Sequence, residues 1–139
     1  MFIIEFGVNH LGSKIYLNKL INFYLKSSFK MATLMIQTKD YYEKYPNHFI
    51  SEDRLKKIIK ICKKKRKKIG LAVCDLRTYK YFDKLKFDFY KLLSIANNDE
   101  KLINILKKKN KHIYISTGLS NDSRIKRSLK LFERYTKKS

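Results

Sequence analysis

The sequence is poor in residues that interrupt structure. One proline, Pro46, and four glycines in 139 residues exclude long linkers and low-complexity segments. Only two cysteines occur, Cys62 and Cys74, with no CxxC pair. That spacing supports neither a zinc site nor a disulfide framework, so both are read as buried or half-buried thiols. No apolar run approaches the roughly 20 residues of a membrane span. The N-terminus lacks a basic segment and Glu5 interrupts its apolar run, so it does not read as a signal peptide. A cytoplasmic location and no membrane partner are therefore expected. Acidic residues are also scarce, 12 against 33 Lys and Arg, for a net charge of +21. What is present is ordinary for a folded chain: 44% hydrophobic residues exclude disorder, and the length suits a single domain, residues 1–139.

The charge is the usual footprint of nucleic-acid binding. Lysine is nevertheless spread along the chain, with one dense run, Lys63 to Lys68, and a smaller one, Lys107 to Lys109. Lys, Ile, Asn, Tyr and Phe are abundant together, and their codons are A/T-rich, so a biased genome would raise all five. The longer run reads as a solvated helix end. Nucleic acid is therefore not the expected partner, and a basic nucleic-acid-binding protein stands only as an alternative.

Hydrophobic periodicity alternates between strand and helix. Strands are expected at Phe2–Val8, Ala32–Thr38, Ile69–Cys74, Phe89–Leu93 and His112–Ser116. The third is nearly all apolar, as parallel strands covered on both faces tend to be. Between them, Ser13 is placed to cap a helix whose apolar face is Leu17, Leu20, Ile21 and Tyr24. Ser51-Glu52-Asp53 opens another, with Leu55, Ile58, Ile59 and Cys62 inside. A short helix is expected at Thr78–Leu85, one capped by Asn97-Asn98-Asp99, and a last one from Asp122 or Ser123 with Ile125, Leu129 and Phe132 inside. The stretch Tyr41–Phe49 reads as an aromatic, polar loop. Five β/α units in sequence imply a parallel sheet, either doubly wound or part of a barrel.

In both architectures ligands bind at the carboxyl ends of the strands. The candidates there are Glu5, Asn9 and His10; Gln37 and Lys39; Asp75; Lys91, Ser94 and Asn97; and Ser116, Thr117 and Gly118. Glu5 and Lys91 stand out because each interrupts an apolar strand, which is costly without a partner. A Lys with Ser/Thr hydroxyls and a helix opened by Gly could cradle phosphate. For His10 the preferred reading is a satisfied turn histidine, since no partner ligands are visible. No GxGxxG, P-loop, HExxH or GxSxG motif is present.

Four segments resemble the sialic acid (N-acetylneuraminate) synthase family. Ile4-Glu5-Phe6-Gly7-Val8-Asn9-His10-Leu11-Gly12-Ser13 is similar to its opening strand and turn, (A/C)EIG(I/V)NHxGS. Ile36-Gln37-Thr38 resembles KxQT, Tyr90 to Ser94 resembles YKI(G/A)S, and Ile115 to Leu119 resembles (L/I)STGM. The resemblance implies a partial TIM (β/α) barrel of about five parallel units, a truncated synthase-like domain too short to close alone. It also implies a transferase of carbohydrate biosynthesis, condensing phosphoenolpyruvate with N-acetylmannosamine or a related amino sugar. Glu5 would be catalytic, contacting the sugar and the reacting carbons. Asn9 and Gln37 would line the site, and Lys91, Ser94 and Ser116 would hold phosphoenolpyruvate.

Departures from the family pattern accompany the matches. Met35 replaces a phosphate-binding Lys, Val73 a hydroxyl residue, and Ala96 an acidic one. A lost charged contact costs about 1.5–3 kcal/mol, and a lost general base about 10²–10⁴ in rate. The family uses a divalent metal such as Mn or Mg; its histidine ligands lie on later strands, so no cofactor site is expected in this chain. An incomplete or inactive enzyme is the resulting expectation, with a non-catalytic assembly module as the alternative. Two protein partners would cover the open sheet edges of such a module: a second copy, or a second half-barrel.

Overall fold

Parallel pairing runs without interruption through the sheet of the computed structural model, which describes residues 2–118 and 120–133. Its strands are β1 (Ile4–Glu5), β2 (Met31–Met35), β3 (Lys68–Val73), β4 (Phe89–Leu92) and β5 (Ile113–Ile115). The helices among the described residues are α1 (Lys14–Lys26), α2 (Lys39–Lys44), α3 (Glu52–Lys64), α4 (Leu76–Tyr79), α5 (Glu100–Lys107) and α6 (Asp122–Glu133). Spatial order follows chain order, β1-β2-β3-β4-β5. A doubly wound sheet reverses at a switch point; this one never does, so the barrel reading stands and the doubly wound one falls.

Register divides the residues between two faces. Glu5, Thr33, Gly70 and Phe89 form one row across the sheet, and Met35, Ala72, Lys91 and Tyr114 the next. Parallel partners point the same way, so both rows share one face. The alternate residues, including Ala32, Leu34, Ile69, Leu71, Val73, Tyr90 and Leu92, join a single apolar cluster with side chains of α1, α3, α5 and α6. The helices therefore cover one face only, as in the wall of a barrel.

Local chemistry explains the elements. Ser13 accepts a hydrogen bond from Tyr16 N, Ser51 from Arg54 N, and Asp99 from Leu102 N, each capping the helix it precedes. Gly70 is required by packing. A Cβ there would lie 2.4 Å from the Phe89 ring, which crosses the glycine on the inner face. At the amino end of the sheet, the buried Tyr24 hydroxyl lies 2.9 and 2.6 Å from the carbonyl oxygens of Lys30 and Lys68. Lys67 Nζ donates to the Ser27 and Phe29 carbonyls, both at 2.5 Å. These bonds tie the end of α1 to the starts of β2 and β3.

Some elements differ from the expected ones. Tyr41–Phe49 is not an open loop: Thr38 caps α2 by accepting from Tyr41 N, and Pro46–His48 form a 3₁₀ turn. The rings there pack on one another, Tyr45 stacking on His48 at 5.3 Å. The helix expected at Thr78–Leu85 starts earlier, as α4, and continues as a 3₁₀ turn, Lys80–Phe82. On α6, Leu129 is 48% exposed rather than inward, while Ser128 and Leu131 are buried. Lys63–Lys68 is only partly a solvated helix end, because Lys67 is buried as a carbonyl clamp. Both cysteines are buried and free. No helix among the described residues is long and apolar enough to cross a membrane.

Candidate active site

An ion pair closes the inner face. Lys91 Nζ on β4 donates to Glu5 Oε2 on β1. In a flat sheet these strands would lie roughly 14 Å apart, three spacings of about 4.8 Å. Side chains rising from a flat face run side by side and do not meet across two intervening strands. The contact therefore requires the inner face to be concave. It also gives each charged residue the partner that its apolar strand made necessary. The side chains stay 35% and 24% exposed, so solvent reaches the pair.

Other candidates are placed around this pair to different degrees. Gln37 Nε2 lies 3.1 Å from Met35 Sδ, and Met35 shares the register row of Lys91. Ser116, two residues beyond Tyr114, bonds through its backbone N to Leu92 O at 2.9 Å, which extends the β4–β5 ladder to the rim. Ser94 is half-buried and opens the 3₁₀ turn Ser94–Ala96 just after β4. Asn9 is exposed in the turn after β1, where its backbone N bonds to Phe6 O.

Several candidates have structural occupations instead. Asp75 caps α4, accepting from Thr78 N at 2.7 Å. Lys39 pairs with Glu43 on α2. Asn97 is fully buried and donates to Ser120 Oγ at 2.8 Å. Thr117 and Gly118 do not cap α6; Asn121 does, its side chain accepting from Arg124 N at 3.0 Å. No Gly-opened helix cradle forms after β5, because α6 begins at Asp122, four residues past Gly118.

His10 is buried, and its Nδ1 accepts from Gly12 N at 3.1 Å. Burial first, and then nearby His48, lower its pKa below the usual 6.5, so the ring is held neutral. Cys74 donates to Ile36 O, and burial pushes its thiol up to about 12, far from a reactive thiolate. No three His, Cys, Asp or Glu side chains cluster as metal ligands among the described residues. His10 offers Nδ1 to Gly12 and leaves Nε2 buried without a hydrogen-bond partner, and one such nitrogen with no further donors beside it does not make a divalent-cation site among the described residues.

The substituted positions divide by face. Met35 sits on the inner face beside Gln37, where a cation would reach the site. Val73 and Ala96 belong to the apolar cluster instead. The β3 positions that look inward are Gly70 and Ala72, with Cys74 next in the alternation, so Val73 is the wrong residue in which to seek a lost phosphate ligand. Sequence reasoning missed two inner-face residues: Thr33, in register with Glu5 and buried with no partner for its hydroxyl, and half-buried Tyr114, in register with Lys91. Strict alternation counted back from Gln37 and from Ser116 would have found both.

The sequence matches the NeuB family over residues 15–139, a span that starts after Glu5 and Asn9. Comparison with curated proteins gave no match. Among solved structures, the chain resembles an N-acetylneuraminic acid (sialic acid) synthetase of Leptospira borgpetersenii crystallised with citrate. There the TM-score is 0.81 at 14% identity, covering 95% of this chain and 49% of that one. It also resembles the spore coat polysaccharide biosynthesis protein spsE of Bacillus subtilis. That TM-score is 0.79 at 15% identity, covering 96% of this chain and 40% of that one. The chain thus spans less than half the length of either structure.

Proposed function

The chain belongs to the NeuB family, and from that premise we propose that its concave inner face is the phosphoenolpyruvate half of a synthase site. The reaction class is condensation of phosphoenolpyruvate with N-acetylmannosamine or a related amino sugar, a step of nonulosonic acid synthesis. The observation that carries the reading is the Glu5–Lys91 pair inside the curved sheet.

Each residue has a chemical task in this reading. Lys91, with the hydroxyls of Ser94 and Ser116, holds the phosphate and carboxylate of phosphoenolpyruvate. Gln37 lines the pocket from β2, and Asn9 binds from the turn after β1. An arriving phosphate competes with Glu5 for the Lys91 ammonium. That exchange costs little, because solvent-exposed ion pairs are worth only about 0–1 kcal/mol. Glu5, released, accepts a hydrogen bond from the sugar beside the reacting carbons. Met35 offers no charge to the phosphate, so binding is weaker than with a lysine there, by about 1.5–3 kcal/mol. No described residue is assigned the polarisation of the sugar aldehyde.

The five-stranded sheet is read as one segment of a barrel domain that takes in residues 1–139. A cavity of about 290 Å³ beside β5, lined by Asn97, Ile115, Thr117, Ile125, Ser128 and Leu129, supports the reading that a further β/α unit packs there. That unit would come from sequence outside these 139 residues, on the same or another polypeptide, or from a second copy. Light scattering after size exclusion tests this: a stable monomer with no tendency to associate would contradict an assembly role.

The binding reading is tested by thermal shift. Phosphoenolpyruvate at millimolar concentration is expected to raise Tm, with inorganic phosphate giving a smaller rise. A folded chain whose Tm does not move would remove the proposed site.

A further inference from the structure

The barrel reading leaves the lysines unexplained, and the fold sorts them. Every helix-to-strand connection is basic: Lys26 and Lys30 before β2, residues 63–68 before β3, Lys84 and Lys86 before β4, and residues 107–111 before β5. In a parallel sheet these connections all meet at the amino ends of the strands, opposite the rim that holds Glu5 and Lys91. Acidic residues gather at the other end. Asp40, Glu52, Asp53, Glu100 and Asp122 occupy first turns of helices, and Asp75 and Asp99 cap them.

Helix dipoles account for part of this sorting, since they favour cations in the last turn and act little beyond it. The last turns hold Lys26, Lys63, Lys64 and Lys107. Lys84, Lys86 and Lys111 lie clear of the α-helix ends, where the dipole no longer selects them. Biased codon usage would scatter lysine over both ends alike. Three cations have structural work: Lys67 and Lys107 hold backbone carbonyls, and Lys109 pairs with Asp83 at 2.6 Å.

Four of the remainder line one cleft. A cavity of about 610 Å³ is lined by Lys63, Lys84, Lys86 and Lys111 together with the Lys109–Asp83 pair and Asp88. Lys63 and Lys109 come from the two separate lysine runs. None of Lys63, Lys84, Lys86 and Lys111 pairs with a carboxylate among the described residues. Asp88 is turned to the backbone, accepting from Ile69 N at 2.9 Å. The cleft carries more cations than carboxylates, and a polyanion that enters it meets that excess and releases its own counterions.

We propose that this amino-end cleft binds the phosphate backbone of a single-stranded nucleic acid, independently of sequence. A groove suits a chain that can enter it, whereas a flat bilayer reaches only the lysines on its edge. The aromatic rings lining the cleft, Phe87 and Tyr90, are buried, so no exposed platform there stacks bases and the contacts are to phosphate.

The test is fluorescence anisotropy of a labelled 20-nucleotide oligothymidylate with the full chain, from 50 to 250 mM salt. Two triple variants remove equal charge: Lys84→Gln with Lys86→Gln and Lys111→Gln at the cleft, and Lys14→Gln with Lys39→Gln and Lys44→Gln at the opposite end. All six side chains are exposed, and circular dichroism verifies folding. The cleft variant is expected to lose at least tenfold in affinity at 100 mM salt. Its slope of log K on log salt should fall by about 2, at about 0.7 per charge. The opposite-end variant should lose no more than about twofold. Equal losses in the two variants would overturn the proposal, as would no binding at 50 mM salt. Tighter binding to phosphatidylserine vesicles than to the oligonucleotide would overturn it too.

Discussion

The two faces of the sheet follow different rules. Leu34, Ile69, Leu71, Val73 and Leu92 on the helix-covered face are buried almost without remainder in one apolar cluster. Across the same backbone, Glu5, Met35, Gln37, Lys91 and Tyr114 are half-buried or exposed. Most of the apolar packing resides on the outer face; on the inner face Thr33, Ala72 and Phe89 are buried, and the part around Lys91 is left open. Of the departures from the family pattern, Met35 changes the charge of the site without touching the apolar layer, whereas Val73 and Ala96 lie within that layer.

The contrast can be broken most severely from the outer side. Leu71→Ala empties a fully buried position and should cost about 2–5 kcal/mol in urea denaturation. Gly70→Ala probes the tightly packed part of the inner face, where Thr33, Ala72 and Phe89 are also buried. Its methyl meets the Phe89 ring, so a loss of about 1–3 kcal/mol is expected. A smaller, pH-dependent effect belongs to His10. Its pKa is lowered by burial, so the unfolded chain takes up its proton first as pH falls through 6.5. Stability should then decrease below that pH, and His10→Gln should flatten this part of the profile. Least of all, Lys91→Met or Glu5→Gln should change stability by only about 0–1 kcal/mol, since the pair is partly exposed. A large loss from either would show that the inner face, too, is structural.

Much of the outer face could be read from periodicity, because burial on one side imposes a repeat that a single sequence retains. Leu17, Ile21 and Tyr24, and likewise Leu55, Ile58 and Cys62, are found where the helical spacing put them. Caps were equally plain, since Ser13, Ser51 and Asp99 act through a hydrogen bond three residues away. Two kinds of feature were hidden. Tyr41–Phe49 has no apolar stripe, and its helix is held by rings packing on rings, which periodicity does not register. Lys67 looks like any residue in a lysine run, yet it is buried against carbonyls contributed some forty residues earlier.

At the site, the two charged residues in apolar strands stood out from the sequence because burial makes such residues need a partner. That the partner of each was the other depended on curvature, and no local pattern encodes curvature. The assignment of Val73 to the site failed for a related reason. Motif alignment carries no face, and one residue of offset exchanges inside for outside.

Titration calorimetry of phosphoenolpyruvate into the native chain and into Lys91→Met addresses the inner face most directly. Saturable binding to the native chain, reduced at least tenfold by Lys91→Met but unchanged by Lys86→Gln at the opposite end, is the predicted result. Equal binding to the native chain and to Lys91→Met, with both folded, would contradict it.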